Sequence, residues 1–176
     1  MSETNRIVTV SPATRAEKPL IEGLSRFYIY DFSELDADLS GQFAFDSAGC
    51  LGPLPGLDDF WRHDGRCALV IRWGDETAGF ALLNTHSHLT GGEVERNMAE
   101  FFVARRYRRR GVAMAAVRLI LTSYPGHWEF AVMARNLAAQ AFWPKAIGAA
   151  PNVSAIVRHE GDGQHWRGPI WSCDAG

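Results

Sequence analysis

Arginines are concentrated at one point of this chain, in the stretch ARRYRRRGVAMAA at residues 104–116. Five arginines occupy the six positions 105–110, and glycine and small residues follow them. Arg108, Gly111 and Ala113 form an R-x-x-G-x-A pattern. A glycine-flanked helix start can bind phosphate, because its first N–H groups have no partner within the helix and lie at the positive end of the helix dipole. The stretch therefore predicts a pyrophosphate site, with arginines supplying charge around the anion.

Such a site needs a strand that ends just before the arginines and a helix that begins just after them. Residues 96–104 (RNMAEFFVA) have the composition of a strand, and Gly111 to about Ser123 has that of a helix. Residues 127–133 (HWEFAVM) indicate the next strand. The segment 96–133 is therefore predicted to be a right-handed parallel crossover.

The other segments predict an α+β fold around a mixed sheet. In chain order they are a strand at 6–10 ended by Ser11-Pro12, a helix from Ala13 to about Tyr30, an irregular segment at 31–64, a hairpin of strands at 67–73 and 77–86, a helix from Asn136 to about Ile147, and two final strands at 153–160 and 165–173.

Composition limits the classes of function. The 176 residues are 47% hydrophobic and carry a net charge of −2, which fits one globular domain, 1–176, with a core over about 6–173. The acidic balance argues against a general nucleic-acid binder. We find no apolar run long enough for a membrane span and no signal peptide, and the three scattered cysteines predict reduced thiols in a cytoplasmic protein. A Rossmann site is excluded because G-x-G-x-x-G is absent, whereas a solvated surface and an RNA contact stay open for the arginines.

Together with a second motif, the arginine stretch resembles the acetyl-CoA site of the GNAT superfamily of N-acetyltransferases. In that family a strand leads into [Q/R]-x-x-G-x-[G/A] at a helix start, as in FFVARRYRRRGVA, and N-x-x-A-x-x-F-Y follows on the next helix, as in NLAAQAFWPKAIG. The tract YIYDFSEL is similar to one in an uncharacterised bacterial branch. The resemblance covers residues 6 to 173 and implies a mixed, mostly antiparallel central sheet with helices on both faces and a splayed central strand pair.

The resemblance implies that acetyl-CoA is the co-substrate, and it assigns residues to acetyl-CoA. Backbone groups of Phe101 and Val103 would bind the pantetheine arm, and the Val103 amide would polarise the acetyl carbonyl as an oxyanion-type donor. Arg105, Arg106 or Arg108 would lie near the outer phosphate. The implied cofactor-binding set is Phe101, Val103, Arg108, Arg109, Arg110, Gly111, Val112, Ala113, Asn136, Ala139, Phe142 and Trp143.

Some of these residues have a second interpretation, and one departs from the family pattern. Phe101 and Val103 also fit plain core packing of a strand, and Asn136 also fits a helix N-cap. Trp143 stands where the family commonly has a tyrosine whose hydroxyl can protonate the departing CoA thiolate. An indole N–H donates a hydrogen bond but does not serve as an acid at neutral pH.

The implied chemistry is direct acetyl transfer from CoA to an amine, whose proton must pass to a base or a water path. Glu100 is the candidate base on the central strand, and a solvent-facing or ion-paired glutamate is the alternative. Simple alternation predicts that Glu100 and Val103 point to opposite faces, with Asn97 and Ala99 on the face of Val103. A β-bulge in this strand would change that arrangement.

The acceptor side is predicted around Tyr28, Tyr30 and Asp31, because aromatic rings and carboxylates suit a cationic amine. The same residues also suit an ordinary core with a solvated edge. His86 and His88 share one strand face, but no third ligand is visible nearby and catalytic zinc normally needs three. No metal is therefore predicted.

The sequence thus predicts a cytoplasmic, acetyl-CoA-dependent N-acetyltransferase that acts on a small-molecule or peptide amine. It predicts no nucleic-acid or membrane partner and leaves a homodimer open. Two alternatives remain at this point: a non-catalytic acetyl-CoA-binding module, and an RNA-binding protein that uses the arginine cluster.

Overall fold

The computed structural model describes residues 6–35 and 43–176. In that part of the chain, seven strands form one sheet in the order β1-β2-β3-β4-β5-β7-β6. The elements are β1 (Val8–Pro12), α1 (Lys18–Ser33), β2 (Cys67–Trp73), β3 (Glu76–His86), β4 (Glu93–Val103), α2 (Val112–Ser123), β5 (Gly126–Ala131), α3 (Leu137–Gly148), β6 (Val153–Glu160) and β7 (Pro169–Ala175), with 3-10 turns at Arg15–Glu17, Leu57–Trp61 and Arg105–Tyr107. No helix among them is both long enough and apolar enough to cross a bilayer.

Alternate strand residues bury their side chains on opposite faces of the sheet, and each face is covered by helix. Val70 and Phe80 pack with Ile21 of α1 on one face. Leu69 and the other inward residues of the opposite face pack with Val117 of α2 and with α3. The predicted α+β fold with helices on both faces of a mostly antiparallel sheet is confirmed.

The crossover from β4 through α2 to β5 is parallel, as predicted, and it opens the sheet in the middle. Strands β4 and β5 pair only at Arg96↔Trp128 and Asn97↔Glu129. Beyond Asn97, β4 continues for six residues to Val103 while β5 diverges from it. The two central strands are therefore splayed, and a gap opens between their carboxyl ends.

A β-bulge lies in β4 immediately before this gap. Leu82 pairs with Glu100 and Leu83 pairs with Met98, so Ala99 is an extra residue in the ladder. Ala99 consequently packs with Phe102 on the α1 face. The expectation that Ala99 shares the face of Val103 is wrong, because strict alternation does not hold across a bulge. Glu100 also points to the α1 face, opposite Val103, as predicted.

Several element boundaries differ from the expectation. β1 continues through Pro12, which pairs opposite Leu69 on the edge strand of the sheet, where proline is tolerated. α1 begins at Lys18, after a 3-10 turn, rather than at Ala13. The last strand begins at Pro169 rather than at His165, because the Asp162 carboxylate accepts hydrogen bonds from the backbone and the ring of His165 and folds that segment into a turn.

Candidate active site

The turn between β4 and α2 contains the glycine of the R-x-x-G-x-A pattern. Gly111 is the N-cap of α2 and has a φ of 79°, a left-handed conformation that favours glycine. A Cβ placed on Gly111 would meet no heavy atom within 4 Å, so the space over the helix start is empty. Arg109 also has a positive φ, of 62°. The first residues of α2 therefore border open space.

A cleft of about 590 Å³, here called the cofactor cleft, runs from this helix start between α1, β4 and α3. Of the predicted cofactor residues, ten line it and two do not: the Val112 side chain is buried in the core, and Arg110 lies outside the cleft. The ten that the structure brings together are Phe101, Val103, Arg108, Arg109, Gly111, Ala113, Asn136, Ala139, Phe142 and Trp143.

The last residues of β4 present backbone groups to the gap that β5 leaves. The Ala104 N–H donates to the Ala78 carbonyl at 2.9 Å, toward β3. Because successive residues of an antiparallel strand direct their backbone groups to alternate sides, those of Phe101 and Val103 face the gap. The Val103 carbonyl there accepts from Arg108 Nε at 2.7 Å. The side chains of Phe101 and Val103 pack in the core, so the role of their backbone groups in binding pantetheine stays a prediction.

Asp31 holds two arginines at the mouth of the cofactor cleft. Its carboxylate accepts from Arg105 Nε at 3.0 Å and forms an ion pair with Arg108. Glu34 adds a longer contact of 3.4 Å to Arg105. Asp31, predicted on the acceptor side, thus lies among the arginines instead. Arg106 is largely exposed beside Glu76, at 3.8 Å.

A second cleft, here called the acceptor cleft, encloses about 890 Å³ on the other side of Phe101 and Trp143. Its walls come from α1, the β3–β4 hairpin, the 52–55 loop and the segment before β7. The two clefts share six residues: Tyr28, Phe32, Phe101, Asn136, Ala139 and Trp143. They are therefore two ends of one groove that passes through the splayed sheet.

Glu100 lies in the acceptor cleft and is partly buried. The Tyr28 hydroxyl donates a short hydrogen bond to Glu100 Oε2. Burial raises the pKa of Glu100 from 4.5 to about 7, while the hydrogen bond from Tyr28 opposes the rise. A carboxyl group with this pKa can take up and release a proton near neutral pH.

The remaining predicted residues divide between the groove and the surface. Asn136 Oδ1 accepts from the Ala139 N–H at 3.0 Å, so it is the N-cap of α3, and it also lines both clefts. Trp143 packs edge-on against Phe101 with ring centroids 5.4 Å apart. Tyr30 is exposed and lines neither cleft.

Glu129 is a structural part of the site that no local sequence pattern reveals. Its buried carboxylate accepts from Ser87 Oγ at 2.7 Å and from the His88 N–H at 2.9 Å, which fixes the β3–β4 loop against β5. That loop places the His88 ring against Trp166, 4.6 Å between centroids, in the wall of the acceptor cleft. The partners lie about 40 residues apart in sequence, so no local pattern reveals them. No three potential metal ligands cluster within residues 6–35 and 43–176.

We expect Glu129→Gln to lower the free energy of unfolding by about 1–3 kcal/mol, because hydrogen bonds to a charged acceptor in a buried site are replaced by weaker ones. Urea denaturation followed by circular dichroism measures the change. Glu160→Gln, which alters an exposed glutamate on β6, is the matched control and should change stability by less than about 0.5 kcal/mol. Equal stability of both variants would contradict the role given to Glu129.

Comparison with known proteins identifies a family that the chain matches. The family model described as "Acetyltransferase (GNAT) family" matches residues 25–149, more than two thirds of the chain. None of the curated proteins compared with the chain matches it significantly.

Solved structures share the fold at low sequence identity. An acetyltransferase from Thermus thermophilus superposes with a TM-score of 0.60 at 15% identity, over 96% of this chain and 97% of that one. A spermidine N-acetyltransferase from Vibrio cholerae, in complex with CoA and spermine, gives 0.55 at 10% identity, over 94% and 93%. A PaiA N-acetyltransferase from Thermoplasma acidophilum, in complex with coenzyme A, gives 0.56 at 9% identity, over 97% and 99%.

Proposed function

The chain belongs to the GNAT family of acetyltransferases, and from this premise we propose that it transfers an acetyl group directly from acetyl-CoA to the nitrogen of an amine. The observation that carries the proposal is the continuous groove. It joins an open helix start, suited to a pyrophosphate, to a partly buried carboxyl group with a pKa of about 7. The first can hold the phosphates of the thioester, and the second can accept the proton of the amine.

In this proposal acetyl-CoA occupies the cofactor cleft. The backbone amides from Arg109 to Ala113 bind the pyrophosphate, and Arg105 or Arg108 lies near the outer phosphate. The pantetheine arm lies in the gap beyond β4, against the backbone groups of Phe101 and the Val103 N–H. The Val103 N–H donates to the acetyl oxygen and stabilises the negative charge that develops there during attack.

The acceptor amine enters from the opposite side, through the acceptor cleft. An amine must be neutral to attack a thioester, so its proton has to be removed at or before the reaction. Glu100 is the base in this proposal, because its carboxyl group lies in the acceptor cleft, close to Phe101, and titrates near neutral pH. The support for Glu100 is its position and its pKa together.

The acceptor is proposed to be a small-molecule or peptide amine. The aromatic rings of Tyr28, Trp143 and Trp166 line the acceptor cleft and can pack against the body of such a molecule. Asp31 does not contact the acceptor in this proposal; its carboxylate positions Arg105 and Arg108 at the cofactor cleft. The proposal further takes residues 6–173 as one cytoplasmic catalytic domain that needs no metal, nucleic acid or membrane, and it leaves the homodimer open.

The two alternative functions have less support. A non-catalytic acetyl-CoA-binding module would not need a carboxyl group in the groove whose pKa is raised to about 7. An RNA-binding role for the arginines has less support because the chain carries a net charge of −2, whereas nucleic-acid-binding domains are usually basic.

We expect Arg105→Gln to weaken CoA binding about tenfold and dephospho-CoA binding less than about twofold. The reason is that, among the groups of CoA, the Arg105 guanidinium is proposed to contact the outer phosphate alone. One charge-assisted contact is worth roughly 1.5 kcal/mol. Calorimetric titration of both ligands measures the difference. Arg118→Gln, on the exposed side of α2, is the control and should bind both ligands as the unmodified protein does. Equal weakening of the two ligands by Arg105→Gln would place Arg105 away from the outer phosphate.

A thiol-release assay with acetyl-CoA across a broad panel of amines tests the proposed function. We expect CoA release that depends on one class of amine and saturates with it. Tight acetyl-CoA binding without release for any amine would favour the binding module, and RNA binding without acetyl-CoA binding would favour the third interpretation.

A further inference from the structure

Tyr28 occupies the junction of the two clefts. Its ring lines both of them, and its hydroxyl donates to Glu100 Oε2. The ring is fixed on the α1 face by Phe32, with centroids 4.4 Å apart, and by Phe80, at 5.9 Å. A phenol is therefore held between the groove where CoA is proposed to lie and the carboxyl group proposed to be the base.

The departing thiolate needs a proton donor, and the cofactor cleft offers few. Trp143 cannot act as an acid at neutral pH. The arginines that line the cleft do not give up protons in proteins, and the carboxylates of Asp31 and Glu34 are engaged by Arg105. Within the described part of the chain, Tyr28 carries the one hydroxyl group that lines this cleft.

Tyr28 would be a poor acid on its own. Burial, with the nearby charge of Glu100, raises the pKa of the Tyr28 phenol well above its ordinary value of 10. A thiol has a reference pKa of about 8.5, so a lone transfer from the phenol to the thiolate is uphill. The transfer becomes favourable if a stronger acid donates a proton to the Tyr28 phenolate in the same step. Protonated Glu100, with its pKa of about 7, is a stronger acid than the thiol.

We propose that Tyr28 and Glu100 form a proton relay in which Tyr28 protonates the departing CoA thiolate and Glu100 returns a proton to Tyr28. This inference rests on the proposed acetyl transfer. The amine nitrogen bonds to the acetyl carbon, and its proton passes to the Glu100 carboxylate. The C–S bond then breaks, the sulfur takes the phenol proton, and the carboxyl proton moves to the phenolate oxygen. The amine proton is thus transferred in effect to the thiol, and both side chains return to their starting states.

The relay assigns catalysis to a tyrosine from α1 and explains how a tryptophan on α3 is compatible with turnover. The other ionisable side chains of the two clefts are Asp31, Glu34, Arg66, His86, His88, Arg105, Arg108 and Arg109. The pKa of Glu100 responds to burial and to Tyr28. Removing the Tyr28 hydroxyl should therefore move the acid limb of the pH–rate profile to higher pH, because the hydrogen bond that lowers the pKa of Glu100 is lost.

The test is Tyr28→Phe, which keeps the ring packing, measured in single turnovers so that the chemical step is observed. We expect the plateau rate at high pH to fall about a hundredfold or more, the range of general acid–base assistance, with acetyl-CoA affinity unchanged. The rate of the unmodified protein in mixtures of H₂O and D₂O should vary nonlinearly with deuterium content, because two protons move, and that of the variant linearly. Tyr124→Phe is the control, since the Tyr124 phenol contacts Cys67 and lines neither cleft.

A shifted acid limb with an unchanged plateau would show that Tyr28 only sets the pKa of Glu100, and it would overturn the relay. The same curvature in H₂O–D₂O mixtures for both proteins would also overturn it. Failure of the underlying function looks different: the unmodified protein itself would release no CoA with any amine.

Discussion

Gly111→Asp is expected to weaken acetyl-CoA binding by more than about a hundredfold, whereas Gly111→Asn loses at most about tenfold. Both side chains tolerate the left-handed backbone at this N-cap, where φ is 79°, and both enter empty space. They differ in charge alone. A carboxylate about 4 Å from a pyrophosphate repels it by several kcal/mol at the effective dielectric of a protein surface.

Calorimetric titration with acetyl-CoA measures this pair of variants. Circular dichroism and thermal unfolding establish that each variant folds, since strain at a positive φ lowers the stability of both by a similar amount. If Gly111→Asp and Gly111→Asn bind acetyl-CoA equally well, the pyrophosphate does not lie at the start of α2.

Glu100→Gln is expected to lower the rate of acetyl transfer by about 10²–10⁴-fold without changing acetyl-CoA affinity, because the amide cannot accept the amine proton. The pH profile gives a second readout. A base works in its deprotonated form, so the rate of the unmodified protein should rise with pH through the Glu100 pKa of about 7. This rise of the rate with pH should be absent in the Glu100→Gln variant.

The raised pKa of Glu100 also determines how the stability of the fold changes with pH. Folding lifts the pKa of Glu100 from 4.5 to about 7, so the folded protein holds this proton more tightly than the unfolded chain. The stabilisation is fully present below pH 4.5 and is lost as the pH rises through about 7. Glu100→Gln should remove this loss of stability with rising pH. Glu93→Gln, at an exposed position of the same strand, should not.

A normal rate of acetyl transfer with Glu100→Gln would assign removal of the amine proton to another group.

Much of the fold follows from local patterns that the sequence displays. The hairpin of β2 and β3 was predicted to within one residue from its alternation and its Gly74-Asp75 turn. The helix start at Gly111 and the N-cap at Asn136 follow from local effects, because glycine adopts the positive φ and the asparagine side chain accepts from an amide three residues on.

The parts of the site that escaped prediction depend on distant contacts. The bulge at Ala99 is set by its pairing with β3, so strict alternation misplaced Ala99. The pairing of Asp31 with Arg105 joins residues 74 apart, and the hydrogen bond of Tyr28 to Glu100 joins residues 72 apart. Both tyrosines of the YIYD tract fitted the acceptor prediction equally, yet only Tyr28 lies on the buried face of α1.

The central claim is that an acetyl group leaves CoA and arrives intact on the nitrogen of an acceptor. Incubation of the protein with isotope-labelled acetyl-CoA and the amine that gives the fastest thiol release, followed by mass spectrometry of the products, tests it directly. We predict one labelled N-acetyl group on the amine for each CoA released. Labelled free acetate with an unmodified amine would show hydrolysis of acetyl-CoA instead, and would contradict acetyl transfer.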